Sequence, residues 1–149
     1  MEKSILVSTV DEELHREIIH EHADHPYNNT EITDADLSGR YVSPKTGNHS
    51  QVFLKISETG KVSKATFLGQ GSALSIASGS LFASHASGMT LSELARLGKK
   101  VERVILGDFS EELPGDLNVY LTIARFPERH DCALLAWRAL DSAIGADAT

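Results

Sequence analysis

Between Gln51 and Ser57 the apolar side chains Val52, Leu54 and Ile56 alternate with polar neighbours, the two-residue period of a strand with one buried face. A second run, Lys61 to Leu68, carries Val62, Ala65 and Phe67, and Glu58-Thr59-Gly60 between the two reads as a tight hairpin turn. Gly39 to Val42 is a third strand-like run, so this part of the chain predicts a small antiparallel sheet. The period changes after Gly71. Ser72 to Ser87, ended by Gly88, reads as helix, Thr90-x-x-Glu93 is a capping box opening a second, and a terminal helix is expected from about Arg129 to Ile144 with Gly145 as its stop. Ahead of the sheet, Asp11 or a neighbour caps a helix from about Glu12 to Asp24, with Leu14, Ile18 and Ile19 on its apolar face and Pro26 ending it. Residues 1–10 are then a short flexible arm, Tyr27-Asn28-Asn29 a turn, and Thr30 to Asp36 a polar loop. Within Lys99 to Phe126, Val101, Val104, Ile105 and Leu106 fit either helix or strand. Leu117 to Ile123 has β-branched character yet also fits a helix, and Gly107 and Pro114-Gly115 punctuate the segment. Strands first and helices afterwards make the expected class α+β.

The 149 residues suit a single domain, 1–149, burying roughly two thirds of the surface that its unfolded form exposes. Cys132 stands alone, so no intramolecular disulfide is available. No N-terminal segment joins basic residues to a long apolar run, and a reducing cytoplasm is the expected location. No apolar stretch approaches the roughly 18 residues of a membrane span, so no membrane partner is expected. The net charge of −7, with acids gathered in Asp11-Glu12-Glu13, Asp34, Asp36 and Glu111-Glu112-Asp116, repels nucleic acid. Arg96, Lys99, Lys100 and Arg103 form the one basic cluster, read as a solvated face or a small protein-docking patch.

Candidate chemistry begins at the Gly69-Gln70-Gly71-Ser72 junction, where a Gly-lined helix start favours an anion and Ser72 occupies the N-cap. No Gly-Lys-Ser/Thr follows and the third glycine of a dinucleotide turn is absent, so a strand-to-helix turn is the simpler reading. His20 and His22 project about 200° apart on a helix and do not make a helical metal pair. No Ser-His-acid order accompanies the hydroxyls of Thr46 and Ser72, so hydrolysis is not expected.

Three stretches then occur in order: SPKTGNH from Ser43 to His49, GQGSALSIAS from Gly69 to Ser78, and FPERHDCALLAW from Phe126 to Trp137. Together with His22-x-x-x-Pro26 they resemble the NifU/IscU/SufU family of iron–sulfur cluster scaffolds, over about Leu14 to Ile144. The Phe126-Pro127-x-Arg129-x-x-Cys132 segment looks most like the SufU branch. The resemblance implies a three-stranded antiparallel sheet with helices packed largely on one face. It also implies a cluster or zinc site whose positions match Thr46, Asn48, Ser72 and Cys132. Where the family has Cys-Gly-Asp this chain has Thr46-Gly47-Asn48, and where it has Gly-x-Gly-Cys this chain has Gly69-Gln70-Gly71-Ser72. Cys132 is the one ligand kept, and neutral hydroxyls are poor ligands for iron or zinc. A degenerate scaffold follows, with no cofactor of its own, no enzymatic activity, and a cysteine desulfurase or another iron–sulfur assembly protein as the implied partner. Two alternatives stand beside it. One is a residual metal-binding or sulfur-relay protein using Cys132, whose thiolate Arg129 favours and Asp131 opposes, with His49 and His130 as accessory ligands. The other is a small-molecule pocket on the same fold.

Overall fold

The computed structural model describes residues 9–110 and 112–148. Helix α1 (Thr9–Asp24) precedes three strands, β1 (Leu37–Val42), β2 (His49–Ile56) and β3 (Val62–Gln70). Helices α2 (Ala73–Ala86) and α3 (Leu91–Ile105) follow, then a 3-10 turn at Gly115–Asn118 running into the short α4 (Val119–Ile123). A second 3-10 turn, Pro127–Arg129, opens α5 (His130–Ala148).

The three strands form one antiparallel sheet in the order β1-β2-β3, with Gly39, Val52 and Phe67 in one row across it. The alternation of Val52 and Leu54 works as expected: both are fully buried, and α5 lies on β1 and β2 while α2 lies on β3. Phe53 points to the opposite face yet is only 3% exposed, paired across the sheet with Ser38 and Thr66. The connection from α1 shields the sheet as well. Asn28, at φ 53, accepts from the Phe67 amide and donates to the Ala65 carbonyl, covering the edge of β3 before Asp36 reaches β2.

The segment from Val101 to Ile105 resolves as the end of α3, because Leu94, Leu97, Val101, Val104 and Ile105 share one buried stripe at helical spacing. The Thr90–Glu93 capping box is formed in both directions. Leu117 to Ile123 is helical too, with Leu117, Val119, Tyr120 and Ile123 buried. Some boundaries and faces differ from expectation. Gly145 does not stop α5, which continues to Ala148, because Ala143 and Ile144 still pack on the core. Leu14 is 52% exposed, leaving Ile18 and Ile19 as the packed residues of α1. Asp11 lies inside the first turn of α1 rather than capping it. Thr9 and Val10, assigned to the arm, are helical, and the rest of the arm lies outside the described residues.

Helix α1 is held as much by polar contacts as by apolar ones. His22 accepts from Ser80 Oγ at 2.6 Å through Nδ1 and faces Asp116 at 3.3 Å through Nε2, while Ser80 Oγ also accepts the Tyr27 amide. His15 Nδ1 lies 2.6 Å from Thr122 Oγ1, and burial lowers its pKa from the usual imidazole value. His22 before Pro26 therefore serves the helix end.

Two features fix α5 and α2 against the sheet. A Cβ on Gly39 would sit 2.3 Å from the Ala139 carbonyl oxygen and 2.4 Å from the Ala143 nitrogen, so only glycine lets α5 lie this close to β1. The second is a buried relay. Trp137 Nε1 donates to Tyr120 Oη at 2.9 Å, Tyr120 Oη donates to Ser78 Oγ at 2.5 Å, and Ser78 Oγ donates to the Ala133 carbonyl at 2.5 Å. Burial pushes the Tyr120 pKa up to about 12, which keeps the phenol protonated as the relay requires.

Gly39→Ala is expected to lower stability by about 3 kcal/mol, because the clashing atoms are backbone and cannot swing away; equilibrium urea unfolding measures it. Ser78→Ala strands the Tyr120 hydroxyl in the core and should remove about 1–3 kcal/mol. The double variant Ser78→Ala/Tyr120→Phe should lose less than the two single losses added, which a double-mutant cycle of urea melts reads directly.

Candidate functional site

The turn between β1 and β2 is built by Ser43. Its side chain is 2% exposed, its Oγ donates to Asp131 Oδ2 at 2.5 Å, and it accepts the amides of Lys45 at 3.1 Å and Thr46 at 3.2 Å. The Gly47 amide returns to the Ser43 carbonyl at 2.9 Å, and Gly47 takes φ 79, a conformation that favours glycine. Thr46 Oγ1 accepts the Asn48 amide at 3.1 Å, so the exposed Thr46 side chain closes its own turn. Asp131 is fixed in its place from the other side by Arg138, 3.7 Å away. The turn is thereby tied to the residue immediately before Cys132.

The junction between β3 and α2 meets the same turn. Gly71 has φ 152, and a Cβ there would fall 2.7 Å from Asn48 Cγ, so the Asn48 side chain occupies the space that Gly71 leaves. His49 is the register partner of Gln70, with Nε2 and Oε1 3.1 Å apart, and its Nδ1 is buried with no hydrogen-bond partner. Ser72 caps α2 in extended backbone, its Oγ accepting the Ser75 amide at 3.2 Å. Capping by a serine hydroxyl is worth about 1 kcal/mol.

At the start of α5, Cys132 is a partly exposed free thiol. Arg129 is exposed and lies over the Phe126 ring at 4.6 Å. His130 is turned away, its ring Nε2 bonded to the Ala124 carbonyl at 3.0 Å. Direct contacts thus join the Thr46–Asn48 turn to the Gly71–Ser72 junction through Asn48, and to the α5 start through Ser43 and Asp131. Among the described residues, no group of three or more His, Cys, Asp and Glu side chains is placed to hold a metal ion. At the four positions themselves, Thr46, Asn48 and Ser72 offer neutral polar side chains and Cys132 a thiol.

Sequence reasoning missed Ser43 and Asp131 as the clamp of this site. The Ser43-x-x-Thr46 spacing signals a hydroxyl-bonded turn, but nothing local predicts a partner 88 residues away. His20 and His25, exposed on and after α1, join no metal group.

A three-stranded antiparallel sheet backed by helices, with a glycine turn tied to the start of the last helix and a Gly-x-Gly helix start beside that turn, defines a small α+β domain. A family model described as the NifU-like N terminal domain matches residues 14–147, and the chain belongs to that family. It is 27% identical over 134 residues to the zinc-dependent sulfurtransferase SufU of Bacillus subtilis, covering 88% of this chain and 89% of the relative. It is 29% identical over 114 residues to the iron–sulfur cluster assembly scaffold protein IscU of Thermotoga maritima, covering 76% and 80%. Among solved structures, an iron–sulfur cluster assembly scaffold protein for the SUF system from Fervidobacterium islandicum AW-1 superposes with a TM-score of 0.78. It shares 24% identity and covers 86% of this chain and 94% of its own, a likeness of fold. No described helix is long and apolar enough to cross a membrane.

Asp131→Ala should release the Ser43 hydroxyl and loosen the turn without unfolding the domain. The expected result is faster amide exchange at Lys45 and Thr46, with a stability loss of about 1.5–3 kcal/mol for a hydrogen bond to a charged group, read by hydrogen exchange and urea melts.

Proposed function

We propose that the protein is a degenerate iron–sulfur scaffold that works in cluster assembly as a binding or regulatory module, without a cluster or zinc of its own and without enzymatic activity. One observation carries the reading: the frame of the three segments is intact while its donor atoms are not those of a metal site. The Gly47 turn, the Asn48–Gly71 contact, the Ser72 cap and the Ser43–Asp131 clamp are all in place. Thr46, Asn48 and Ser72, taken as the matching ligand positions, supply no anionic donor, and Cys132 alone supplies sulfur. A sulfurtransferase that depends on zinc needs donors that Thr46, Asn48 and Ser72 do not supply, and Thr46 has no sulfur with which to accept a persulfide. The family membership supports a partner from iron–sulfur assembly, and the partner proposed is a cysteine desulfurase.

The protein purified without oxygen is expected to carry no stoichiometric zinc or iron by elemental analysis, and to retain a cysteine desulfurase on affinity purification from its own cells. One tightly held metal per chain would overturn the reading, as would purification with no desulfurase bound. The frame is tested separately. Thr46→Cys, Asn48→Asp and Ser72→Cys together should create zinc binding with Cys132, and zinc should raise the thermal midpoint by several degrees or more. Structural zinc sites are worth on the order of 10 kcal/mol, of which a fraction is enough. Single replacements should give far smaller shifts. A folded triple variant with no zinc-dependent shift would show that these residues do not share one site.

A further inference from the structure

A cleft of about 500 Å³ opens between α1, the first turn of α2, α4 and the turn into α5. Its apolar floor is Ile19, Leu74, Ile123 and Phe126, and two cationic side chains, Arg16 and Arg129, stand on its lining. The volume lies within the roughly 300–1,000 Å³ of ordinary small-molecule pockets. None of the proposed metal positions themselves, Thr46, Asn48, Ser72 and Cys132, lines the cleft, although Leu74 and Phe126 belong to the segments that carry Ser72 and Cys132.

The charge of the cleft is opposite to that of the protein. Glu12, the one carboxylate on the lining, is engaged by Arg125. Among the described residues neither Arg16 nor Arg129 has a carboxylate partner, and Arg129 is stacked on Phe126 at 4.6 Å, held at the cleft wall. His20 lines the cleft as well, and the adjoining first turn of α2 contains no acidic residue to offset its amides. In a chain of net charge −7, two guanidinium groups with no carboxylate partner among the described residues, beside four apolar side chains, are a specific arrangement.

We infer that this cleft binds a small organic anion, a carboxylate or phosphate head between Arg16 and Arg129 with an apolar body on Ile19, Leu74, Ile123 and Phe126. A guanidinium presents a planar pair of donors matched to either head group, and both arginines gain a charged partner that no described residue provides. A purely apolar ligand leaves the arginines unmatched, and an inorganic anion leaves the floor wet. The site takes its ligand from both halves of the lining.

The test is isothermal titration with hexanoate and phenyl phosphate as organic anions, and hexanol and inorganic phosphate as half-ligands. At least one organic anion is expected to bind about tenfold more tightly than either half-ligand, and Arg16→Gln and Arg129→Gln should each weaken it about tenfold or more. Arg40→Gln, on the exposed side of β1, should leave binding unchanged. In amide spectra the shifts should centre on Leu74, Ile123 and Phe126. Both arginines are exposed, so the variants keep the fold, which circular dichroism checks. Absence of binding by both organic anions, equal binding by the half-ligands, or affinity untouched by the two arginine substitutions overturns the inference. None of these outcomes depends on metal content or on desulfurase retention.

Discussion

The polar relay in the core is directional, and that direction organises the molecule. An indole N–H only donates and a carbonyl only accepts, so the order Trp137, Tyr120, Ser78, Ala133 is the one arrangement in which every member is satisfied. Three helices are locked by it: α4 through Tyr120, α2 through Ser78, and α5 at both Trp137 and Ala133. Trp137 meets Phe82 and Tyr120 edge-on at 5.7 and 6.4 Å, so the apolar packing is shaped around the same side chains. Loss of one member leaves a neighbour desolvated without a partner, which makes the relay an all-or-none element of the core. It also lies close to the surface site. Ala133 follows Cys132, and Ser78 is six residues along α2 from its cap at Ser72.

The close approach at Gly39 adds the second constraint. With α5 seated against β1 through Ala139 and Ala143, the start of the same helix is carried back over the turn between β1 and β2, where Asp131 receives the Ser43 hydroxyl. Gly79 plays the corresponding part for α2, since a Cβ there would fall 2.2 Å from the Phe67 ring. The Gly39 fit sets the helix position more sharply than side-chain burial alone, because both partners are backbone and neither can change rotamer to relieve a misfit; at Gly79 the buried Phe67 ring is the neighbour. The turn, the junction and the start of α5 are therefore fixed relative to one another by the interior of the domain.

Local chemistry made much of this legible. Period-two alternation gave β2, the Thr90–Glu93 box gave the start of α3, and the hydroxyl at Ser72 gave the cap of α2, since each is decided within a few residues. What could not be read depended on tertiary partners. Val101 to Ile105 is apolar enough for either period, and packing against α5 and α4 decides for helix. Gly145 looks like a stop, but Ala143 and Ile144 hold the chain in helix past it. Gly39 reads as an ordinary weak strand residue until α5 is laid across it. The clamp of Ser43 on Asp131 and the cleft between Arg16 and Arg129 join residues far apart in the chain, and no spacing rule reaches them.

The side chains proposed to stand at the ligand positions have structural occupations of their own. Ser72 Oγ is spent on the Ser75 amide, Thr46 Oγ1 on the Asn48 amide, and the Asn48 side chain fills the space beside Gly71. A thiolate ligand at Ser72 would have to face a metal and would leave the Ser75 amide without its acceptor, a loss on the order of 1 kcal/mol at a helix start. A carboxylate at Asn48 would bring a charge against the Gly71 turn. Metal sites compensate such losses through the bound ion, and without an ion the same positions are best filled by short hydroxyl and amide side chains that bond locally. Thr, Asn and Ser are the residues physical chemistry selects for holding these turns shut in the absence of metal. In the degenerate-scaffold reading proposed above, Thr46 and Ser72 bond their own turns and Asn48 packs against Gly71, so these positions hold a surface in place without calling on a metal.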